Sequence, residues 1–164
     1  MENMLHSEAP SNWFAAKVFY NRTGTVAEAL NEAGVQYYCP EKVIPSLIFV
    51  KTDESTVLKI QQKFFGRLWF YRQMDRLKPA KISEKEMELF IFVTSSGEQG
   101  LIYLGDDRPE YHVGDHVRVI DGPFKGAEGH IKRIKKDRRL VVTVAGVVAV
   151  ATSYIHPDFL EVID

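Results

Sequence analysis

Apolar and polar positions divide this chain into two textures. From Asn12 to Ser96, strand-like and helix-like segments take turns. "NWFAAKVFY" (Asn12–Tyr20) is rich in aromatic and apolar residues and predicts a strand. "NRTG" breaks it, and "TVAEALNEAGV" predicts a helix. Val26, Ala29, Leu30 and Ala33 fall on one helical face, Thr25 and Glu28 have capping-box spacing, and Gly34 is a natural stop. "VQYYCP" predicts a second strand, ended by Pro40. "IPSLIFVKT" (Ile44–Thr52) predicts a third, an apolar run of the kind found in covered strands. Asp53 then stands as N-cap to a second helix, whose stripe is Val57, Ile60 and Phe64. "RLWFYRQ" (Arg67–Gln73) follows Gly66 as a fourth strand. Ser83 and Glu86 open a third helix, with Met87, Phe90 and Ile91 as its apolar face. The order β-α-β-β-α-β plus a helix predicts a ferredoxin-like α/β sandwich with helices on one face of the sheet.

After Ser96 the texture changes. "SGEQGLIYLGDDRPEY" scatters Gly, Asp and Pro without a helical period and predicts a linker over 97–110. From Val113 onward everything reads as β. "DHVRVID" alternates, and so does "GHIKRIKK", with Ile131 and Ile134 inward and lysines outward. "DRR" supplies a tight connection. "LVVTVAG" and "VVAVATSYI" are Val-rich strands around Gly146, and "FLEVI" closes the set. Short strands with glycine turns predict a small β-barrel over 111–164, giving an α+β chain of two domains. The Val and Thr residues of the barrel favour strand over helix, so no helical state is expected there.

Composition narrows the function classes. The chain has 164 residues, 45% hydrophobic and 26% charged, as in an ordinary soluble protein. No stretch approaches the ~20 apolar residues of a membrane span, so no membrane role is expected. "MENMLHSEAPSN" lacks the basic and apolar regions of a secretory signal and predicts a short disordered lead. Cys39 is the only cysteine, which suits a reducing cytoplasm, and its expected role is that of a small buried hydrophobe. The net charge of −1 is low for a protein that holds nucleic acid tightly by itself, so the main anchor is expected to be another protein.

One motif stands out. In "YHVGDHVRVIDGPFKGAEGHIKRI", Gly114-Asp115 is followed by alternating Val117 and Val119, then Gly122, Phe124, Gly126, Gly129 and Ile131. Gly122 and Gly126 can supply positive φ, Pro123 stiffens the turn, and Gly129 allows a close strand approach. Phe124 would then be presented at the loop tip. This stretch resembles the KOW motif of SH3-like barrels in transcription and translation factors.

With "NWFAAK", "IPSLIFV" and "KPAKISEKEMELF" in the same order, residues 12–164 resemble the NusG family of transcription elongation factors. The resemblance implies an N-terminal NusG (NGN) domain over 12–96 and a C-terminal KOW SH3-like barrel. Ile44-Pro45-Ser46-Leu47 stands where general members have Phe-Pro-Gly-Tyr, and the hairpin before it is short. These departures resemble the specialised UpxY- and RfaH-like antiterminators.

The resemblance implies that Ile44, Pro45, Leu47 and Phe49 meet the clamp helices of RNA polymerase. It implies that Lys17, Tyr20 and Arg22 reach non-template DNA, and that Phe124 and Lys125 recruit ribosomal protein S10 or Rho. It further implies a monomer without cofactor or metal. For several of these residues the bland alternative is core packing or a solvated loop. "FFGRLWFYRQMDR", with Arg67, Arg72 and Arg76, reads more simply as a strand with one aromatic core face and one arginine face. "KRIKKDRR" is the most basic segment, either a solvated hairpin or a weak contact to RNA or ribosome.

An enzyme is not expected. His112 and His116 do not share a helix face, Asp106 and Asp107 fall in the expected linker, and no phosphate-binding glycine loop is present. The alternative function is a KOW-containing RNA-binding or ribosome-associated protein without a polymerase role. It would want exposed aromatics on the central strands and a basic balance.

Overall fold

The computed structural model describes residues 11–74 and 77–164. The disordered lead expected at the N-terminus and Arg76 therefore lie wholly or largely outside the described residues. Contacts divide the chain into two compact units, Met1–Glu84 and Lys85–Asp164.

The first unit contains β1 (Asn12–Val18), α1 (Thr23–Glu32), β2 (Gln36–Tyr38), β3 (Leu47–Thr52), α2 (Glu54–Lys63) and β4 (Leu68–Phe70). Its sheet has the order β2-β3-β1-β4, with antiparallel neighbours throughout. This is the ferredoxin-like arrangement expected. Side chains alternate across a strand, so Phe14, Ala16 and Val18 of β1 share one face with Ile48, Val50, Leu68 and Phe70. Val26 and Leu30 of α1 and Val57 and Ile60 of α2 bury against that face.

The two helix starts differ. Asp53 caps α2 as expected, its carboxylate accepting from the Thr56 N–H at 2.7 Å. The Thr25–Glu28 box does not start α1. That helix begins at Thr23, with Arg22 at the cap position and no side-chain cap bond. Thr23 Oγ1 instead donates to the Pro45 carbonyl at 2.8 Å, tying the helix start to the turn before β3.

The second unit takes in α3 (Glu84–Thr94) beyond its first residue, then β5 (Ile102–Gly105), a 3-10 turn (Pro109–His112), β6 (His116–Val119), β7 (Glu128–Ile134), β8 (Asp137–Val144), β9 (Val148–Tyr154), a second 3-10 turn (Pro157–Phe159) and β10 (Leu160–Val162). The strands form one sheet, β10-β6-β7-β8-β9-β5, an SH3-like barrel. Val117, Val119, Phe124, Leu140, Val142 and Ile155 form its main core, and Val93 and Leu89 of α3 pack into the same cluster.

Sequence reading and structure part company at several points here. The stretch expected as a linker holds β5, which pairs with β9 at Ala149–Ala151. The four residues of β5, the last of them positive-φ Gly105, are too short a run to show against scattered Gly, Asp and Pro. The connection expected at "DRR" lies two residues earlier, at Lys135 and Lys136, and Asp137 and Arg138 already belong to β8. Ile131 and Ile134 do not face the same way. Three positions apart on a strand, they lie on opposite faces, so Ile131 packs on the main core and Ile134 on a second cluster with Val141, Ala149 and Ala151.

Candidate partner-binding and nucleic-acid surfaces

The β1–α1 turn is built on strain. Tyr20 and Asn21 both take positive φ, 61° and 56°, a region that costs a non-glycine residue about 1 kcal/mol. The result is display: Tyr20 is 78% exposed, and Phe19 and Arg22 are exposed beside it. The Phe19 N–H donates to the Arg67 carbonyl at 2.8 Å, which fastens this turn to the start of β4. Lys17 is half-buried and lies across from Trp69 in the β1–β4 register.

Trp69 is 46% exposed and its ring lies 5.2 Å from that of Tyr71. The expectation of one aromatic core face and one arginine face in "FFGRLWFYRQMDR" leaves no place for an exposed ring. In fact Phe64, Leu68 and Phe70 are core, whereas Phe65 and Trp69 point to solvent. Strict period-two alternation from Leu68 was the available signal.

Around β3 the predicted residues separate. Ile44, Leu47 and Phe49 are buried, and only Pro45 is exposed. Ile44 sits in the turn after Pro40, its N–H donating to the Pro40 carbonyl at 2.7 Å. Leu47 and Phe49 lie on the sheet face opposite α1 and α2, paired with Lys17 and Ala15. In this structure the set offers one proline to a partner, not an apolar patch.

The KOW loop turns the other way from the expectation as well. Gly122 and Gly126 take φ of 86° and 97°, and the Lys125 N–H returns to the Gly122 carbonyl at 3.1 Å. Yet Phe124 is 3% exposed and belongs to the barrel core. The loop folds back because the Gly126 N–H reaches the Val119 carbonyl at 2.8 Å and the Ala127 N–H reaches the Phe124 carbonyl at 2.9 Å. Pro123 and Lys125 are what the loop exposes. Beside it lies a small cavity of about 150 Å³, lined by Pro123, Phe124, Tyr154, Ile155, His156 and Phe159 among others. Gly129 has the reason expected of it: a Cβ there would stand 2.2 Å from the Val141 carbonyl oxygen.

His112 and His116 are tied to carboxylates. His112 Nε2 lies 2.8 Å from Asp107 Oδ1, and Asp107 also accepts from the Gly146 N–H at 2.9 Å. His116 Nδ1 lies 2.7 Å from Asp164 Oδ1, and its ring stacks on His130 at 5.1 Å. Asp107 thus pins the β5–β6 segment to the β8–β9 turn. Among the described residues no group of three or more His, Cys, Asp or Glu could hold a metal ion. Cys39 packs against the N-terminal core. Burial, and then the charge of Glu41, push its thiol up to about 11, so it stays protonated and unreactive at neutral pH. No helix among the described residues is long and apolar enough to cross a membrane.

A ferredoxin-like sheet followed in the chain by an SH3-like barrel defines a KOW-type two-unit protein, and the KOW motif family matches residues 113–144. The curated "Transcription termination/antitermination protein NusG" of Vibrio vulnificus (strain CMCP6) is 26% identical over 166 aligned residues, covering 85% of this chain and 89% of that protein. The solved structure titled "Domain interaction in Thermotoga maritima NusG" has the same fold with a TM-score of 0.53, at 18% identity, over 94% of this chain and 98% of that one. A chain of the MjSpt4:Spt5 complex aligns over 93% of this chain and 97% of its own length at 14% identity, with a TM-score of 0.37, too low to carry weight. This chain thus carries a KOW motif and is similar to NusG over most of its length.

Proposed function

We propose that the chain is a bacterial transcription elongation and antitermination factor. In this reading residues 12–96 bind RNA polymerase at its clamp helices, and the KOW barrel from residue 111 recruits a further partner, ribosomal protein S10 or Rho. The observation that carries it is the correspondence with a protein named for termination and antitermination: 85% of this chain aligns, which takes in both units. Function in the cytoplasm, as a monomer and without catalysis, follows from the same reading. The Ile44–Leu47 departures support a specialised, UpxY- or RfaH-like role.

Burial sorts the proposed contacts. Pro45 is the residue of its set that meets polymerase directly, while Ile44, Leu47 and Phe49 hold the strand and turn that present it. Non-template DNA is assigned to Lys17, Tyr20 and Arg22, with the exposed rings of Phe19 and Trp69 added as stacking surfaces. On the barrel, Lys125 and Pro123 replace Phe124 as the direct contact, and Phe124 shapes the loop from beneath.

The RNA-platform alternative loses support from the sheet. Its central strands carry Trp13, Ala15 and Phe49, all of them buried. Purified core polymerase, with and without its clamp helices, tests the proposal by pull-down, followed by transcription on a long template. Retention that depends on the clamp helices, with altered pausing, is expected. No retention, combined with tight binding of free RNA, would replace this reading by the alternative.

A further inference from the structure

The tip of the β7–β8 hairpin stands clear of β6, while β8 stays paired with β9 at Arg139. β6 pairs with β7 only from Glu128 to His130, and one further bond joins the Ile131 N–H to the Asp115 carbonyl at 3.1 Å. Beyond that, Lys132–Ile134 pairs with β8 alone, in the register Lys132↔Arg139, Arg133↔Arg138, Ile134↔Asp137. Two of these cross-strand pairs put like charges directly opposite, which destabilises a sheet. The turn adds a second penalty. Lys135 and Lys136 have φ of 54° and 74°, the signature of a two-residue primed turn that Asn-Gly would fill without strain.

Neutralisation is missing as well. Among the described residues, Lys132, Arg133, Lys135, Lys136 and Arg138 enter no ion pair. The one acid of the hairpin tip, Asp137, is engaged by Arg139 at 3.4 Å. Arg139 itself is structural. It is largely buried and donates to the carbonyls of Ile134, Gly100 and Thr152. The hairpin is thus anchored at its base and cationic at its tip, in a chain whose net charge is −1.

We infer that this hairpin tip is a contact for the phosphate backbone of double-stranded DNA. Charge selects a polyanion. The hairpin tip carries no aromatic side chain, so the stacking that holds single strands is absent. Without rings to stack on, this tip suits the closely spaced phosphates of a duplex better than a single strand, and B-form DNA presents one charge per ~1.7 Å of its axis. The contact is weak and general by design: a handful of phosphates, with no base-reading set of side chains. It serves a protein already held in place elsewhere, as the near-neutral charge requires.

The test uses the full chain, a short labelled B-form DNA duplex and no polymerase, so its outcome is separate from that of the polymerase reading. Fluorescence anisotropy at low salt is expected to show binding, with a slope of log Kobs against log[salt] of about −3. The double substitution Lys135→Asn/Lys136→Gly suits the turn better than the parent sequence, so it keeps the barrel folded, as its thermal midpoint will show. It is expected to weaken duplex binding about 10-fold. Arg133→Gln/Arg138→Gln is expected to act in the same direction. Absence of binding at low salt overturns the inference. So does unchanged affinity in the Lys135/Lys136 variant. Tighter binding of duplex RNA or of single strands than of duplex DNA also overturns it.

Discussion

Strand β7 has a turn at each end, and the two use positive φ for opposite purposes. At the KOW loop, glycines take the left-handed conformation without strain, and the chain folds inward until Phe124 is buried. At the β7–β8 turn, lysines take that conformation against their preference, and the charge stays outside. Glycine lets backbone bonds decide where a loop goes. Lysines in the same conformation carry backbone strain that glycine would not. The KOW loop is therefore an architectural turn with a thin exposed edge. The lysine turn is the better candidate for direct contact.

This contrast can be broken in order of size. The largest effect is expected at Gly129, where β7 leaves the KOW loop. A methyl at 2.2 Å from the Val141 carbonyl forces β7 and β8 apart. Gly129→Ala should destabilise the barrel by about 4 kcal/mol, read from chemical denaturation. Phe124→Ala comes next, at about 3 kcal/mol, because it empties a core site. Lys125→Ala beside it should stay within about 0.5 kcal/mol. Equal, small effects at the two positions would show that Phe124 is a displayed residue after all.

The α2 cap supplies a reference between these extremes, a turn held by a side chain. Asp53→Ala should cost about 1 kcal/mol of stability. The Thr56 N–H, then the Ser55 hydroxyl, hold the Asp53 carboxyl below the usual aspartate range. A lowered folded-state value means that this contribution is present above the ordinary carboxylate range and is lost as the pH falls through the depressed value. The parent and Asp53→Ala denaturation curves should therefore converge in acid. The smallest effect is a gain. Lys135→Asn/Lys136→Gly should raise stability by about 0.5 kcal/mol by relieving the turn. A loss of stability there would mean that the lysines support the hairpin rather than strain it.

Much of the fold was legible because local rules and global packing agree. The β1, β3 and α2 patterns, the Asp53 cap and the close approach at Gly129 each rest on near neighbours in sequence or on one fixed steric need. The misreadings share a different cause. The Thr25–Glu28 box lost to Thr23 because the Pro45 carbonyl, distant in sequence, offered a better partner. β5 was invisible because its four residues gain meaning only beside β9. Trp69 was hidden in an aromatic run whose alternation fixes which rings are outside only once Leu68 is known to face the helices.

The candidate surfaces show the same division. Charge and motif are properties of the chain, so the basic "KRIKK" segment and the KOW register could be read directly. Exposure is a property of the fold. The resemblance implies contacts at Phe124, Leu47 and Phe49, but apolar residues in a loop or strand carry no mark of which side is covered. Composition, strand and helix periods, and the KOW spacing were set by the sequence itself, since each depends on covalent geometry and side-chain type within a short window. Which apolar residues remain available, and which cations stand unneutralised at the hairpin tip, was decided by tertiary structure, because burial and ion pairing are made by residues far apart in the chain.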